Sequence, residues 1–538
     1  MIFKHLKRPL AILALGGLAA CSGGIGSGVP VPNSAPQPIA TPAGGTPLVG
    51  IGDSLTAGYQ SEGFLGATGV TSSASLYPGG AVPPGQENGW WSLLYQAVTG
   101  ASTASLYDPT TSPLPLIAGP GMGSQLVLSA SLFSPTHSSC DAFNDSGYSS
   151  TLFADTRMDA AAHNLDLGVP GITMHEAIAM SGPLTGPATN TPSGCGYATI
   201  PGDQTSGGLQ SLVSGESAVY YPVMGSYIHN VSSLTELNVA VALKPKLTTV
   251  WLGANDLLKF AFSGGNPVAS DSAAQMGADL TTIVKSLTAA GSKVLVGDLP
   301  NVLEAPQFFP QGNRLIADLA TLLVATSKGA VSPGTAGVLA TQINTYVGQT
   351  YFAGAASGGY LTEAGFLAIV SNCGTSPATC TTPQLDPTTP GSGLGTYYIT
   401  PTLAGEVQAL NTAYNQAIDG VATSSGSNVA LVPITTTFAA LAPSATTPGS
   451  APSLSTIIPG APAAYFSFGG GLVSWDGLHP SNLGYAVVAD TFIQTADTAF
   501  GMTLTPLSGA QLTAIAGTDP YNPAGVNAAL GGTVFPLP

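Results

Sequence analysis

Short apolar runs rich in β-branched residues alternate along the chain with longer segments of helical periodicity. Each apolar run is followed by turn-forming residues, which is typical of a buried strand in a parallel sheet. The predicted strands lie at 47–52, 162–168, 247–253, 292–298 and 428–433. The predicted helices lie at 90–98, 174–180, 271–290, 401–421 and 482–500. This alternation predicts an α/β fold, a three-layer α/β/α sandwich around a parallel five-stranded sheet.

Long stretches between these elements have no periodic apolar pattern. They are rich in Gly, Ser, Thr and Pro, so we interpret them as loop insertions into one domain that spans residues 47–500. Insertions are expected at about 60–160, 185–217, 302–400 and 442–462, and residues 501–538 are expected to form a C-terminal surface tail. Two insertions flank candidate site residues and are expected to form the walls of a cleft at the carboxyl ends of the strands.

The first 46 residues have the pattern of an exported bacterial lipoprotein. Basic residues at positions 4–8 precede an apolar run and the sequence Leu-Ala-Ala-Cys at 18–21, which predicts a signal peptide over residues 1–20. The apolar run is about half the length of a membrane span. The end of this segment resembles a lipobox, which implies lipidation of Cys21. Residues 21–46 would then tether the domain to the bacterial membrane at the cell envelope, outside the cytoplasm, and Ser22 favours the outer membrane where one exists.

Four further cysteines follow the leader. They are Cys140, Cys195, Cys373 and Cys380. An even number of cysteines in an exported chain suggests two disulfides. The short separation of Cys373 and Cys380 favours pairing them, which leaves Cys140 with Cys195. Because the chain has no CxxC spacing and its histidines are scattered, no metal site is expected.

Composition and charge narrow the class of function. The 538 residues include 11 Lys and Arg against 27 Asp and Glu, which gives a net charge of −16. A nucleic-acid binder needs a cationic surface to displace counterions, so nucleic acid is not an expected partner. Hydrophobic residues make up 44% of the chain, which is sufficient for a large core.

Four short segments carry candidate chemistry, and each falls at a predicted strand end or helix start. They are Gly-Asp-Ser-Leu at 52–55, Gly-Val-Pro-Gly at 168–171, Gly-Ala-Asn-Asp at 253–256 and Asp-Gly-Leu-His at 476–479. Taken alone, each segment also fits an ordinary turn or helix cap. The second segment is followed by Thr173 and Glu176, which have the spacing of a capping box.

In this order the four segments resemble the four blocks of the GDSL or SGNH hydrolases, a family of esterases, lipases and acetylesterases with a flavodoxin-like three-layer fold. The resemblance covers about residues 47–500 and implies a serine ester hydrolase without a cofactor. It implies that Ser54 is the nucleophile, His479 the base and Asp476 the carboxylate that orients the imidazole. The oxyanion hole would be formed by the N–H groups of Ser54 and Gly171 and the amide of Asn255.

The resemblance leaves the substrate open. The main hypothesis is hydrolysis of an acyl ester by water, with a carbohydrate O-acetylesterase as an alternative. A catalytically silent surface binding protein on the same fold is a third hypothesis. The chain departs from the family at Asp166-Leu167-Gly168, where many relatives have Asn-Leu-Gly.

Overall fold

A computed structural model describes the main elements of the chain. It describes residues 45–60, 63–64, 86–107, 112–115, 163–185, 197–199, 223–224, 227, 234–312, 315–317, 319–320, 332–352, 358–362, 365, 394–395, 397–442, 452–467, 470–474 and 477–519. Several residues singled out from the sequence lie outside these ranges, namely Cys21, Cys140, Cys195, Cys373, Cys380 and Asp476. Lipidation, the disulfides and the role of Asp476 therefore stay predictions.

The centre of the molecule is a parallel sheet of four strands. The strands of the described chain are β1 Thr46–Gly52, β2 Tyr59–Gln60, β3 Gly63–Phe64, β4 Ser181–Thr185, β5 Tyr197–Thr199, β6 Pro245–Trp251, β7 Lys293–Gly297, β8 Phe308–Pro310, β9 Tyr360–Thr362, β10 Tyr398–Ile399 and β11 Val429–Val432. The central sheet has the order β1-β6-β7-β11, and every neighbouring pair is parallel. Gly52 at the end of β1 lies opposite Trp251 at the end of β6, so the two strands end at the same edge.

Four of the five predicted strands are confirmed as β1, β6, β7 and β11, and in the described part of the chain the central sheet has four strands in place of the five predicted. The predicted strand at 162–168 is reduced to one parallel bridge between Gly50 and Asp166. Leu167 N donates to Gly50 O at 3.0 Å, so the segment still follows the edge of β1. The Asp166 carboxylate accepts a hydrogen bond from Gly168 N at 3.0 Å, a local turn that competes with regular strand geometry.

Helices connect the strands. They are α1 Trp90–Thr99, α2 Glu176–Ala179, α3 Glu236–Ala242, α4 Ala254–Phe262, α5 Ala273–Ala289, α6 Pro333–Thr350, α7 Pro401–Ser424, α8 Ile434–Leu441, α9 Leu454–Ile457, α10 Asn482–Phe500 and α11 Gly509–Thr518. The helices predicted at 90–98, 271–290, 401–421 and 482–500 are confirmed as α1, α5, α7 and α10. Their starts are chemically defined, because Ser272, Thr400 and Ser481 cap α5, α7 and α10 through their hydroxyl oxygens.

The helix predicted at 174–180 is only the single turn α2. Thr173 and Glu176 exchange the hydrogen bonds of the predicted capping box, since Thr173 N donates to Glu176 Oε2 at 2.7 Å and Glu176 N donates to Thr173 Oγ1 at 3.3 Å. At Met180 the backbone is already extended, and β4 follows immediately. The helix is therefore capped as predicted but is ended early by the strand that follows it.

The helices pack against the central sheet in two groups. Helices α1 and α10 contact each other, and they also contact β1 and β11 respectively. Helices α3, α5 and α7 form a second contiguous group that contacts β1, β7 and β11. Aromatic rings fill the space below the first group: Trp90 stacks on Phe492 with centroids 4.1 Å apart and meets Trp251 edge-on at 5.8 Å. Buried aromatic packing thus joins α1 and α10 to the end of β6.

Regular elements also occur in segments that were expected to be insertions or tail. A small antiparallel sheet of order β10-β9-β8 and helix α6 lie within 302–400. Helix α11 packs on α10, and its Leu512 is fully buried. In the described part of the chain, no helix combines the length and apolar character required to cross a bilayer.

Candidate active site

Ser54 lies in a tight turn immediately after β1. Thr56 N donates to Asp53 O at 3.1 Å, and Asp53 Oδ1 accepts a hydrogen bond from Leu55 N at 2.9 Å. Gly52 permits this turn because a Cβ at that position would lie 1.9 Å from Thr56 Oγ1. The close approach requires glycine, and it places the Ser54 side chain just beyond the carboxyl end of the strand.

His479 is held by a loop that leads into α10. Ser474 N donates to His479 O at 2.8 Å, and Gln307 N donates to Gly477 O at 2.9 Å. Two residues after the histidine, the Ser481 hydroxyl oxygen caps α10 by accepting from Gly484 N. The backbone before His479 is therefore held by hydrogen bonds within the loop, and the backbone after it is held by the capped start of α10.

The serine and the histidine are 425 positions apart in sequence but form a direct hydrogen bond. His479 Nε2 lies 2.8 Å from Ser54 Oγ, and both residues are buried, with 8% and 7% of their surfaces exposed. The ring of Tyr59 lies beside the imidazole with centroids 5.0 Å apart. An imidazole at this distance can accept the hydroxyl proton and so convert the serine into a nucleophile.

Asn255 reaches the same edge from the neighbouring strand. It stands at the start of α4 directly after β6, and its Nδ2 donates to Ile172 O at 3.0 Å and to Asp53 Oδ2 at 3.2 Å. Gly171 has a φ of +88°, a left-handed conformation that favours glycine. Among the described residues, neither Ser54 nor Gly171 donates a hydrogen bond from its backbone N–H. Within the described structure, these N–H groups are therefore available to a ligand.

Helix α4 braces the loop that follows Gly171. Asp256 Oδ2 accepts a hydrogen bond from Met174 N at 3.1 Å, and Lys259 Nζ forms an ion pair with Glu176 Oε2 at 3.2 Å. Together with Asn255, these residues form one face of α4, because residues three and four positions apart are neighbours on a helix. Sequence analysis did not identify Lys259, although its spacing from Asn255 and Asp256 was the available signal.

Three buried carboxyl groups, Asp53, Asp166 and Glu236, lie in or near the serine turn. Burial raises the pKa of Asp53 to about 7, although the nearby His479 and the Leu55 N–H act to lower it. Burial raises the pKa values of Asp166 and Glu236 well above their usual range, and repulsion from Asp166 and Asp53 adds to the shift at Glu236. Glu236 accepts a hydrogen bond from Gly52 N at 2.7 Å. No motif marks Glu236, because an acidic residue in a first helical turn is ordinary.

Three of the predicted site residues border an apolar cleft of about 620 Å³, a volume that includes its open mouth. Ser54, Asn255 and His479 all line it, whereas Gly171 does not and contacts the site through its neighbour Ile172. Most of the remaining lining residues are apolar, among them Leu55, Trp251, Leu258, Val302, Phe438 and Phe466. The polar lining residues include Asn301 and Glu304. The cleft can therefore hold an apolar group next to the serine.

Comparison of the chain with protein-family models, with curated proteins and with solved structures found no match. The chemistry of this site is therefore inferred from its own residues and distances.

Proposed function

We propose that the protein is a serine ester hydrolase of the GDSL or SGNH type, with the three-layer fold of that family. The observation that carries the proposal is the 2.8 Å distance between Ser54 Oγ and His479 Nε2 at the wall of an apolar cleft. It is supported by Asn255, which follows the neighbouring strand and lies at the same edge. A serine, an imidazole and an amide donor in one cleft are the groups that acyl transfer requires.

The reaction proceeds through an acyl-enzyme. Ser54 Oγ attacks the ester carbonyl carbon while its proton passes to His479 Nε2, and the carbonyl electron pair moves to oxygen. The tetrahedral intermediate then collapses, and the alcohol leaves with the proton from Nε2. Water repeats the sequence on the acyl-enzyme and releases the acid. Asp476 is proposed as the carboxylate that orients the imidazole, and no cofactor is needed for these steps.

The proposed oxyanion hole consists of the N–H groups of Ser54 and Gly171 and the Asn255 amide. Both amide hydrogens of Asn255 are engaged in the substrate-free protein, so one of them has to change partner when the oxyanion forms. The longer bond, 3.2 Å to Asp53 Oδ2, is the one expected to open, because the 3.0 Å bond to Ile172 O holds the amide beside the loop. Donors aimed at the developing charge lower the barrier for acyl transfer.

The lining of the cleft favours an ester with an apolar acyl group. Trp251, Phe438 and Phe466 offer an acyl chain apolar contact close to the nucleophile. A carbohydrate O-acetylesterase is the alternative, but a sugar needs several hydrogen-bonding groups, and the cleft offers few beyond Asn301 and Glu304. A silent binding protein has no need of a serine held against an imidazole.

We also propose that lipidated Cys21 anchors the protein to the bacterial envelope. The lipobox-like sequence at 18–21 carries this part of the proposal. Expression in a bacterial host should give a membrane-associated product that incorporates labelled fatty acid. Cys21→Ser should abolish the incorporation, and a Cys21→Ser product that is still acylated would contradict the anchor.

The test of the catalytic proposal is labelling of the purified protein with a fluorophosphonate, followed by intact mass. Wild type should gain one phosphonyl group, as should Ser286→Ala, which alters a partly exposed serine on α5. Ser54→Ala should gain none and should lose turnover of p-nitrophenyl esters. Labelling that survives Ser54→Ala, or an unlabelled but folded wild type, would contradict the proposal. Turnover of acetylated sugars in preference to longer acyl esters would favour the alternative substrate class.

A further inference from the structure

A second cluster of titratable side chains shares the 171–180 loop with the proposed active site. His175 lies in this loop, Asp271 precedes α5 and Asp279 lies on α5. His175 Nδ1 is 3.1 Å from Asp279 Oδ2, and one possible ligand atom from each of the three residues lies within 4.8 Å of the others. The Asp279 side chain is 6% exposed and that of His175 is 36% exposed, so the cluster is covered on one side and reachable from solvent on the other.

Two carboxylate oxygens at this cluster have no hydrogen-bond partner in the described structure. Asp271 Oδ2 is inaccessible to solvent and accepts no hydrogen bond. Asp256 is fully buried, and while its Oδ2 accepts from Met174 N, its Oδ1 has no partner. Asp256 lies close enough to Asp271 for their negative charges to repel each other. Buried polar atoms are normally satisfied by a donor, a water or an ion.

The region around His175, Asp271 and Asp279 also contains more acidic than basic side chains. The cluster places the carboxyl groups of Asp271 and Asp279 beside one imidazole, and Glu176 follows that imidazole directly in the chain. Among the described residues, Lys259 brings a positive charge to this region, and it already pairs with Glu176 at 3.2 Å. A divalent cation would neutralise much of the remaining negative charge.

We propose that His175, Asp271 and Asp279 form a binding site for a divalent transition-metal ion such as Zn²⁺, with Asp256 as a neighbouring carboxylate. One imidazole nitrogen and two carboxylate oxygens suit Zn²⁺ better than Ca²⁺, which takes six to eight oxygen ligands. Zn²⁺ bonds of about 2.0–2.2 Å in tetrahedral geometry hold two ligand atoms roughly 3.3–3.6 Å apart. The 3.1 Å separation of His175 and Asp279 would need to open only slightly.

The ion would connect the loop after Gly171 to the start of α5. Because Ile172 in this loop accepts the hydrogen bond of Asn255, occupancy would hold the proposed oxyanion hole more firmly. That consequence for activity rests on the proposed function, whereas binding of the metal does not. The two can therefore fail separately.

The test uses the full chain without a histidine tag, treated with a chelator and titrated with ZnCl₂ by calorimetry and with CoCl₂ by visible absorption. Wild type should bind one ion per chain, and Co²⁺ should give the absorption bands of a site with a nitrogen ligand. His175→Gln and Asp271→Asn should each weaken binding at least tenfold. Asp419→Asn, an exposed carboxylate on α7, should bind as wild type does.

Circular dichroism of each variant separates loss of the site from loss of the fold, and His175, which is partly exposed, should tolerate replacement. Zn²⁺ should raise the unfolding temperature of wild type and Asp419→Asn but not of His175→Gln. The proposal is overturned if folded wild type binds no stoichiometric ion, or if His175→Gln binds as tightly as wild type. Tighter binding of Ca²⁺ than of Zn²⁺ would overturn the assignment of the metal class.

Discussion

At the scale of single residues, Asn255 illustrates how much of the site depends on shared hydrogen bonds. Its amide joins the loop at Ile172 to the carboxyl of Asp53, and in the proposed reaction it must also reach the substrate oxygen. The bond to Ile172 O holds the amide in place before the substrate arrives, so only the longer bond to Asp53 has to open when the oxyanion forms. Its loss should therefore affect the chemical step more than binding.

Asn255→Ala should lower kcat about 100- to 1,000-fold with a much smaller change in KM, because it removes a donor used mainly in the transition state. The measurement is steady-state turnover of a p-nitrophenyl ester. Asn428→Ala, an exposed asparagine before β11, is the matched control and should retain full activity. An Asn255→Ala enzyme with unchanged kcat would remove the amide from the proposed oxyanion hole.

Glu236 shows a second kind of residue-scale effect, in which burial favours the neutral form of an acid. Burial raises its pKa well above the usual range, and its carboxyl group accepts the hydrogen bond of Gly52 N next to the serine turn. A neutral carboxyl group and an amide have similar shape and hydrogen-bonding capacity.

Glu236→Gln should therefore change the free energy of unfolding by less than about 1 kcal/mol. Glu236→Ala should lower it by about 1–3 kcal/mol, because the buried Gly52 N–H loses its acceptor. Urea unfolding of both variants at pH 7 gives the comparison. Equal destabilisation by both substitutions would show that the negative charge, and not the acceptor, is what the fold requires.

At the scale of elements, the first turn of α10 fixes the position of the loop that holds His479. Gly484 lies so close to this loop that a Cβ there would be 2.1 Å from Leu472 O and 2.9 Å from Pro480 Cβ. The absence of a side chain lets the helix approach the backbone on both sides of His479. The helix therefore determines where the imidazole stands.

Gly484→Ala should lower the free energy of unfolding by about 1–3 kcal/mol and reduce esterase activity, because the added methyl group displaces the loop. Gly420→Ala in α7 is the matched control, since an added Cβ there meets nothing within 4 Å. That substitution should raise stability by up to about 1 kcal/mol through helix propensity. Thermal or urea unfolding of the pair is the measurement, and similar values for both would contradict the close approach.

At the scale of the whole molecule, burial of several carboxyl groups couples stability to pH. The pKa values of Asp53 and Asp256 are about 7, and those of Asp166 and Glu236 are well above the usual range. In the unfolded chain these groups titrate near pH 4. Between about pH 4 and 7 the folded protein consequently binds more protons than the unfolded chain does.

The free energy of unfolding contributed by Asp53 and Asp256 should thus be greatest below pH 4 and fall as the pH rises through 7. The slope for each group is at most about 1.4 kcal/mol per pH unit. Urea unfolding at pH 5 and pH 8 in a chelating buffer measures it. Asp256→Asn should reduce the slope and Asp419→Asn should leave it unchanged. A slope that Asp256→Asn does not alter would show that Asp256 is ionised in the folded protein at pH 5.

The sequence by itself determined the elements whose cause is local. Runs of β-branched residues predicted β1, β6, β7 and β11. Helical spacing of apolar residues predicted α5, α7 and α10 close to their observed bounds, and each of these helices begins at a Ser or Thr cap. The apolar pattern at 162–168 also predicted a strand. The Asp166 carboxylate accepts a hydrogen bond from Gly168 N instead, and the segment forms one bridge to β1. A pattern of apolar residues does not show that a polar side chain will compete with a neighbouring strand for backbone hydrogen bonds.

Of the site, the sequence supplied the candidates Ser54, Asn255 and His479, because each stands at a strand end or helix start in a recognisable order. The tertiary structure decided their distances, the lining of the cleft and the supporting groups Glu236 and Lys259. It also brought together His175, Asp271 and Asp279, which no local spacing connects. Contacts between residues far apart in the chain depend on how the layers pack, and burial then sets the protonation of the carboxyl groups. Neither the packing of the layers nor the burial of a side chain can be deduced from neighbouring residues in the sequence.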